Sequence, residues 1–310
     1  MSTLTSANLP RVEVVDLSSF FPLVSPQATP LTSLLMSKKK VTDMKGLYLT
    51  KMVEGDKDTT YTGNRAEGAD FVDGKATNKK LMKNIAEIYW DKVKVSKTIT
   101  DGFGKNGEKQ LMQEATIKMS KIKGDFETSM LNAGAMSETD PRRMAGLSTF
   151  AGKKVDLKNQ PLTVDGVEDA ALDLFNNDLM NDNTFLVINP KDLTTLKKSY
   201  VKKSSGDDNT QTIMLTGERT VGVKVQKIMT QYGEVNILMN AKVKKGTAFL
   251  VNLSSIELGA LRKPRLEKDT ANAGDYEAFT AVMEVSFVAD PKGIIQFTNI
   301  GDVLPTKLGA

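Results

Sequence analysis

Apolar residues in the middle of the chain recur at spacings of four and three, which is the pattern of a long amphipathic helix. The repeating positions are Leu111, Ala115, Met119, Ile122, Phe126 and Met130. Asn106 is placed to cap a helix that begins near Gly107, and Gly134 is placed to end it. We predict a helix of about 25 residues, about 38 Å long, which we call the spine helix. Gly124 inside this helix lowers the stability of the helix by about 1 kcal/mol relative to alanine, so we expect a bend or a close backbone contact there.

Residues 41–101, before the spine helix, alternate between apolar and polar positions in two stretches separated by a polar segment. Lys45–Glu54 is predicted as an outgoing strand and Trp90–Thr100 as the strand that returns, together forming an extended β-hairpin. Residues 55–80 are rich in Gly, Asp, Thr, Asn and Lys, which is typical of a loop. An isolated hairpin is marginally stable in water, so its apolar face needs a partner surface from the same subunit or the next.

The first 40 residues have the pattern of an arm. Pro22, Pro26 and Pro30 block a continuous helix. The apolar residues of this segment are too numerous for plain disorder. They are Leu17, Phe20, Phe21, Leu23, Leu31, Leu34 and Leu35. Such an arm packs either on its own domain or across a neighbouring subunit, and the sequence leaves both alternatives open.

Residues 161–260 mix helical and strand patterns and predict an α/β unit. One predicted helix carries Val167, Ala171, Phe175 and Leu179 on a single face, and Asn189-Pro190 begins another. The predicted strands are Phe185–Ile188, Val221–Met229, Val235–Met239 and Ala248–Leu253. The polar segment Lys202–Gln211 is predicted as a loop between them.

The last 50 residues return to a strand pattern. Phe279–Val288 and Ile294–Ile300 are predicted as partners in a hairpin. Asp290-Pro291-Lys292-Gly293 places Asp, Pro and Gly at the positions that a type I turn favours.

Composition narrows the function more than any motif does. The 310 residues include no Cys and no His, which excludes disulfides, thiolate or imidazole metal ligands, and hydrolases of the Ser-His-Asp or Cys-His type. The net charge of +4 comes from scattered lysines, whereas a duplex-binding protein concentrates its charge on one face. No apolar run approaches the roughly 18 residues of a membrane span, and no secretory signal is visible. We therefore expect a protein that is not an enzyme, with no catalytic, cofactor-binding or metal-binding residues, no cofactor and no membrane partner.

Gly102, Gly104 and Gly107 match the G-x-G-x-x-G pattern of a dinucleotide-binding turn. Asp125 follows at about the distance of the ribose-binding acid, but it falls inside the predicted helix rather than at the end of a second strand. A structural hinge is the favoured interpretation, and a nucleotide-binding enzyme stays the minor alternative.

Two groups of acidic residues and one sequon have equally plain explanations. Glu54, Asp56 and Asp58, like Asp207-Asp208, lack the twelve-residue frame of an EF-hand and are interpreted as solvated loop carboxylates. Asn252-Leu253-Ser254 matches a glycosylation acceptor, which has no meaning without a secretory signal.

The order of these elements resembles the major capsid protein of tailed bacteriophages, the Hong Kong 97-type fold family. The stretches that carry the resemblance are GEKQLMQEATIKMSKIKGDFETSML, PRRMAGLSTF, NTFLVINPKDL and IELGALRKPRLEKDTANAGDYEAFTAVMEVSFVADPKGIIQFTNI. The resemblance implies an α+β fold with five parts. These are an N-terminal arm (1–40), an extended β-hairpin loop (41–101), the spine helix with the first part of a peripheral domain (102–160), an axial domain (161–262) and a return to the peripheral sheet (263–310).

The resemblance also implies a function and partners. Copies of the chain would assemble through pentamers and hexamers into an icosahedral shell around double-stranded DNA, with the extended loop lying over an adjacent subunit. A portal, a separate scaffolding or decoration protein, and non-specific contact with packaged DNA at the inner face are expected. We expect assembly in the host cytoplasm and a final place in the virion. The arm leads directly into the loop region, so a separate scaffold or none, and no cleavage, are expected.

Three further expectations stay open. An encapsulin-like cellular compartment has the same fold and is the alternative to a viral shell. Some relatives join lysine to asparagine across subunits, and Lys75, Lys79 and Lys80 lie near the loop tip. We nevertheless expect subunits that are held without covalent links. Lys202–Gln211 is expected at the tip of the axial domain, near the symmetry axis of the capsomer.

Overall fold

A computed structural model of the chain describes residues 14–16, 29–38, 41–55, 78–98, 105–196, 218–220, 223–269 and 276–301. Its helices are α1 (Pro30–Lys38), α2 (Lys105–Asn132), α3 (Leu147–Phe150) and α4 (Val164–Asn176), and residues 190–196 are also helical. The strands are β1 (Val14–Asp16), β2 (Thr42–Asp43), β3 (Tyr48–Glu54), β4 (Lys79–Ile85), β5 (Glu87–Ser96), β6 (Lys153–Asp156), β7 (Thr184–Ile188), β8 (Glu218–Thr220), β9 (Val223–Thr230), β10 (Gly233–Met239), β11 (Ala248–Asn252), β12 (Ile256–Asp269), β13 (Tyr276–Ala289) and β14 (Ile294–Thr298).

These strands form two sheets and a separate two-stranded ribbon. The five-stranded sheet has the order β1-β12-β13-β5, and β2 pairs with β12 outside this path. The seven-stranded sheet has the order β6-β14-β11-β7-β10-β9-β8. Two of its strands come from outside residues 161–262: β6 precedes the predicted α/β unit in the sequence and β14 follows it. The two strands lie side by side at one edge of the sheet. The ribbon consists of β3 and β4.

The spine helix is α2, and its predicted apolar face is buried. Ala115, Met119, Ile122, Phe126 and Met130 are each at most 1% exposed, whereas the side chain of Leu111 lies outside the described residues. The helix packs on β5, where Phe126 meets the ring of Tyr89 edge to face at 5.9 Å. Its 28 residues correspond to about 42 Å.

Two details of the helix differ from the prediction. The helix begins at Lys105, so Asn106 lies within it and the predicted cap at Asn106 is wrong. The helix ends at Asn132, two residues before Gly134. The close contact expected at Gly124 exists, but a side chain makes it. A β-carbon there would lie 3.0 Å from Nζ of Lys242.

The returning strand of the hairpin was predicted at the wrong place. β3 pairs with β4, with Met52 opposite Leu81, and the strand that contains Trp90 instead pairs with β13. Alternation of apolar and polar residues indicates a half-buried strand but does not identify its partner. The chain passes from the ribbon into the five-stranded sheet through Ala86, which is fully buried.

The predicted terminal hairpin is also wrong, although its turn is present. The Asp290 side chain accepts a hydrogen bond from the Lys292 amide at 3.0 Å, and the Gly293 amide donates to the Asp290 carbonyl at 3.1 Å. However, β13 pairs with β12 and β5, while β14 pairs with β11 and β6. A short 3₁₀ turn, Pro291–Gly293, redirects the chain from one sheet into the other.

In the α/β unit the strands Phe185–Ile188, Val235–Met239 and Ala248–Leu253 are confirmed in substance by β7, β10 and β11. The predicted strand from Val221 is β9, which begins at Val223, and Lys202–Gln211 lies outside the described residues.

The predicted face of α4 is correct at Val167 and Ala171, both fully buried. Phe175 is 53% exposed, so its predicted place on that face is wrong. Leu174 is buried instead, because the face continues at i+3 from Ala171. Leu179 lies beyond the helix and is partly buried against the same core.

The part of the arm that is described packs on its own subunit. Helix α1 begins at Pro30, the third of the blocking prolines, at the first helical position where proline is tolerated. Its side chains Leu31, Leu34 and Leu35 are fully buried in the same core as the spine helix. The other apolar residues of the arm lie outside the described residues.

Candidate assembly interface

The ribbon of β3 and β4 is fixed at its base by one buried side chain, Asn84. Its amide nitrogen donates to the carbonyl oxygens of Ala145 at 3.1 Å and Phe287 at 2.8 Å. Its amide oxygen accepts from the backbone amides of Ala145 at 2.8 Å and Ile85 at 3.0 Å. Asn84 is fully buried, and it joins the ribbon to the loop before α3 and to β13.

Two lysines hold the ribbon further out. The ammonium group of Lys51 lies 2.8 Å from the carboxylate of Glu257 and 3.1 Å from the Ser255 carbonyl oxygen. The ammonium group of Lys292 donates to the Gly55 carbonyl oxygen at 2.6 Å. These contacts orient one face of the ribbon, which carries the buried side chains of Leu49 and Val53, toward its own subunit.

The opposite face of the ribbon is apolar and exposed. Met52 is 69% exposed and Leu81 is 58% exposed, and the register places them directly across from each other. Tyr48 on the same face is also exposed, with the Lys83 ammonium group 5.0 Å from its ring centre. A cross-strand apolar pair facing water is a cost for an isolated subunit and is typical of a surface that a partner covers.

A buried carboxylate fixes the arm helix to the spine helix. Glu127 accepts hydrogen bonds from the amides of Leu31 at 3.3 Å and Thr32 at 3.0 Å, and from the side chain of Asn240. The first two amides belong to the first turn of α1, where a negative charge is favourable. Burial raises the pKa of Glu127, and the hydrogen bonds that it accepts oppose this rise. One side chain thus connects α1, the spine helix and the end of β10.

Lys123, one helical turn before Glu127, is fully buried beside it. Its ammonium group donates to the hydroxyl of Ser33 at 2.8 Å. Burial lowers the pKa of Lys123 to about 8, although the charge of Glu127 acts in the opposite direction. The two polar residues border the apolar stripe of the spine helix, and no pattern in the sequence indicates their role.

A second buried carboxylate joins the Pro141–Phe150 segment to the five-stranded sheet. Glu284 on β13 is 2% exposed and receives the guanidinium groups of Arg142 and, at 2.8 Å, Arg262. Arg142 also donates to the Ala86 carbonyl oxygen at 2.8 Å. The segment therefore contacts the sheet and the base of the ribbon together.

The residues considered for chemistry are not gathered into a site. Gly102 and Gly104 lie outside the described residues, and Gly107 lies within the spine helix. Asp125 is exposed on the same helix. Within the described ranges, no group of three or more Asp or Glu residues could hold a metal ion.

The other candidates are scattered as well. Asp56, Asp58 and Asp207-Asp208 fall outside the described residues, as does Lys75, while Lys79 and Lys80 are exposed at the start of β4. Asn252 is fully buried and its amide donates to the Leu179 carbonyl oxygen, so the sequon is inaccessible. Among the helices that the structure describes, none is long and apolar enough to cross a membrane.

The family comparison decides the identity. The family described as SU10 major capsid protein matches residues 2–300, which is nearly the whole chain. The chain belongs to the SU10 major capsid protein family. It is a major capsid protein, and its place is in the shell of a virion. No curated protein matches this capsid protein.

Solved shells share the fold of this capsid protein at low sequence identity. A cyanophage A-1(L) capsid subunit gives a TM-score of 0.58 at 10% identity, covering 97% of each chain. The capsid of a native GTA particle gives 0.53 at 13% identity, covering 96% of this chain and 95% of that one. The holo-SrpI encapsulin complex of Synechococcus elongatus PCC 7942 gives 0.58 at 11% identity, covering 91% and 92%. The predicted α+β, Hong Kong 97-type fold is confirmed.

Proposed function

We propose that this capsid protein assembles through pentamers and hexamers into an icosahedral shell around the double-stranded DNA of a tailed phage. The observation that supports this is the apolar pair of Met52 and Leu81 on the outer face of the ribbon, which its own subunit leaves exposed. In the assembled shell the ribbon lies over an adjacent subunit, which buries that face. Burial of such a pair contributes about 1.5–3 kcal/mol for each side chain, repeated at every copy.

The five-part division of the chain gives each part a role in the shell. The described part of the arm (1–40) packs on its own subunit, the extended loop (41–101) makes contacts between subunits, and the spine helix begins the peripheral domain (102–160). The axial domain (161–262) converges on the capsomer axis, and 263–310 returns to the peripheral sheet through β13, while β14 joins the seven-stranded sheet. The segment Lys202–Gln211 lies at the axial tip, where like charges on adjacent copies favour a hydrated loop.

The partners follow from that role. A portal, a separate scaffolding or decoration protein, and packaged DNA at the inner face complete the particle, which assembles in the host cytoplasm. The protein acts as a structural subunit and not as an enzyme. The similarity to the holo-SrpI encapsulin complex supports a second candidate, a cellular compartment shell. A cargo enzyme in purified shells would favour the compartment, whereas packaged DNA favours the virion.

Substitution on the outer ribbon face tests the proposal. The double variant Met52→Ser/Leu81→Ser should remain folded, because both side chains face solvent in the isolated subunit. It should form few or no shells by electron microscopy under conditions in which the unaltered protein forms icosahedral particles. Ile117→Ser, at a 59% exposed position on the spine helix, is the matched control and should assemble normally. A compact monomer as the sole species of the unaltered protein would overturn the proposal.

A further inference from the structure

The two ends of the seven-stranded sheet differ in shape and charge. Strands β7 and β10 are parallel, and β14 is parallel to β6, so the carboxyl ends of all four strands meet at one end of the sheet. We call this the basic end and the opposite one the aromatic end. The five residues of β7 alone separate the ends by about 16 Å, so one copy cannot bring its own two ends together.

The aromatic end projects an exposed ring. Phe175, in the last turn of α4, is 53% exposed, and its ring centre lies 5.7 Å from that of Tyr232 in the turn between β9 and β10. Met180 continues the patch, since a β-carbon at Gly233 would lie 3.4 Å from it. Phe175 is therefore supported by its neighbours from behind while its outer surface meets water.

Acidic side chains border this patch. Asp178 and Asp182, both exposed, follow α4 on the way to β7. Asp173 and Glu234 at this end lie against the ammonium groups of Lys153 and Lys227, and Lys38 donates to the side chain of Asn183. The aromatic end thus presents an apolar projection beside two exposed carboxylates, Asp178 and Asp182.

The basic end presents a hollow. Its volume is about 440 Å³, and it is lined by Asn159, Lys244, Lys245, Thr247, Asn299 and Ile300, with Gly246 and Thr298. Lys244 and Lys245 are exposed, and so are Lys158, in a turn, and Lys191, in the helix 190–196, at the same end of the sheet. The exposed carboxylate of Asp156, also at this end, accepts from the side chain of Asn299 at 2.9 Å. Ile300, which is 6% exposed, contributes aliphatic surface to the lining of the hollow.

We infer that the aromatic end of one copy docks into the basic end of the next, with Phe175 seated in the hollow and Asp178 and Asp182 facing Lys244 and Lys245. The second copy is the occupant because the chain carries both complementary surfaces. An aromatic ring between lysines gains cation–π attraction in addition to apolar contact. The carboxylates and ammonium groups have opposite charge, which selects this pairing over end-to-end contacts of like ends.

The contact is heterologous, because two different surfaces of the same chain meet. Repeated around an axis, such a contact closes into a ring when the rotation between copies divides a full turn. This inference rests on the proposed function, since it assigns the contact that holds neighbouring subunits within one capsomer.

Charge reversal on each side tests the pairing. Asp178→Lys/Asp182→Lys and Lys244→Glu/Lys245→Glu should each lower the yield of capsomers and shells by about tenfold or more, because like charges then meet across the contact. The chain that carries all four substitutions should recover assembly, because its two ends again carry opposite charge. Asp125→Lys/Asp169→Lys, at exposed aspartates on the spine helix and in the middle of α4, is the charge-matched control and should assemble as the unaltered protein does.

Substitution of the ring gives a second measurement that does not alter charge. Phe175→Ala should weaken capsomers while leaving the circular dichroism spectrum of the dissociated subunit unchanged. Ile117→Ala is the exposed apolar control. If the unaltered protein forms shells and the two charge-reversed variants do so equally well, the inference is wrong while the proposed function stands. Failure of the four-substitution chain to assemble, with its fold intact, would also reject the pairing.

Discussion

Asn84 and Ala145 exchange two hydrogen bonds, in which the side-chain amide of one residue matches the backbone amide and carbonyl of the other. The geometry resembles one step of a β-ladder, made between a side chain and a loop. It holds the ribbon of β3 and β4 at a fixed angle to the Pro141–Phe150 segment. The angle of the ribbon therefore depends on one buried residue at its base.

Asn84→Ala should destabilise the subunit by about 3 kcal/mol, because it leaves the amide of Ala145 and two buried carbonyl groups without their partner. Urea unfolding of the dissociated subunit measures the change. Asn78→Ala, at an exposed position on the same ribbon, should change stability by no more than about 0.5 kcal/mol. Equal stability of the two variants would contradict the assigned role of Asn84.

Gly146→Ala should also destabilise the subunit, for a purely steric reason. A β-carbon at Gly146 would lie 2.3 Å from the carbonyl oxygen and 2.9 Å from the nitrogen of Ala133, and backbone atoms cannot move aside as a flexible side chain can. We expect a loss of about 1–3 kcal/mol. Gly134→Ala is the matched control, because no heavy atom lies within 4 Å of its added carbon. Thermal unfolding of both variants beside the unaltered subunit measures the difference.

The stability of the subunit should rise between pH 8 and 10 through Lys123. Burial lowers the pKa of Lys123 to about 8 in the folded state, below its ordinary value of 10.5. In this window the unfolded chain binds the proton more strongly than the folded chain does, so a rise in pH favours the folded state. Below pH 8 the ammonium group is charged in both the folded and the unfolded state, so this gain in stability is absent.

The check is the difference between unaltered protein and Lys123→Met, measured by chemical unfolding of the dissociated subunit at several pH values. The difference isolates Lys123 from the other groups that titrate in the same range. Parallel stability curves for the two proteins across the window would show that Lys123 keeps an ordinary pKa in the folded state.

We predict that the subunits are held without covalent links. Lys79 and Lys80, near the loop tip, are exposed, and the register places Lys79 opposite Glu54 at the end of the ribbon far from Asn84. Formation of an amide with an asparagine side chain needs a carboxylate in a site sheltered from water, and these lysines are solvated. Boiled shells should give a single monomer band on a denaturing gel. A ladder of multimers would contradict the prediction.

The local parts of the fold could be predicted from the sequence, and the pairing of strands could not. The stripe from Ala115 to Met130 predicts the spine helix because helical contacts are near neighbours in the chain. The strand containing Trp90 could not be paired correctly, because Trp90 pairs with Val282 of β13, far along the chain. Asp290-Pro291 predicts a tight turn but not the sheet that the chain enters after it.

The residues that matter most for packing also had no clear signal. Asn84, Glu127 and Glu284 are buried polar residues whose partners come from distant parts of the chain. Phe175 was placed on the buried face of α4 because its spacing fits, whereas the structure leaves it exposed. The exposure of Phe175 cannot be predicted from its spacing, because it depends on which residues surround the side chain in the folded protein.

The chain crosses between the two sheets at Leu253–Ser255 and again at Pro291–Gly293, and the amide of Asp290 donates to the carbonyl oxygen of Ser255 at 3.0 Å between these crossings. A third passage leads from α3 into β6. Transplanting the seven-stranded sheet into a related shell protein would therefore need three splice points. A continuous segment of 161–262 would leave β11 without β14, so engineered chimaeras should carry both crossings from one parent.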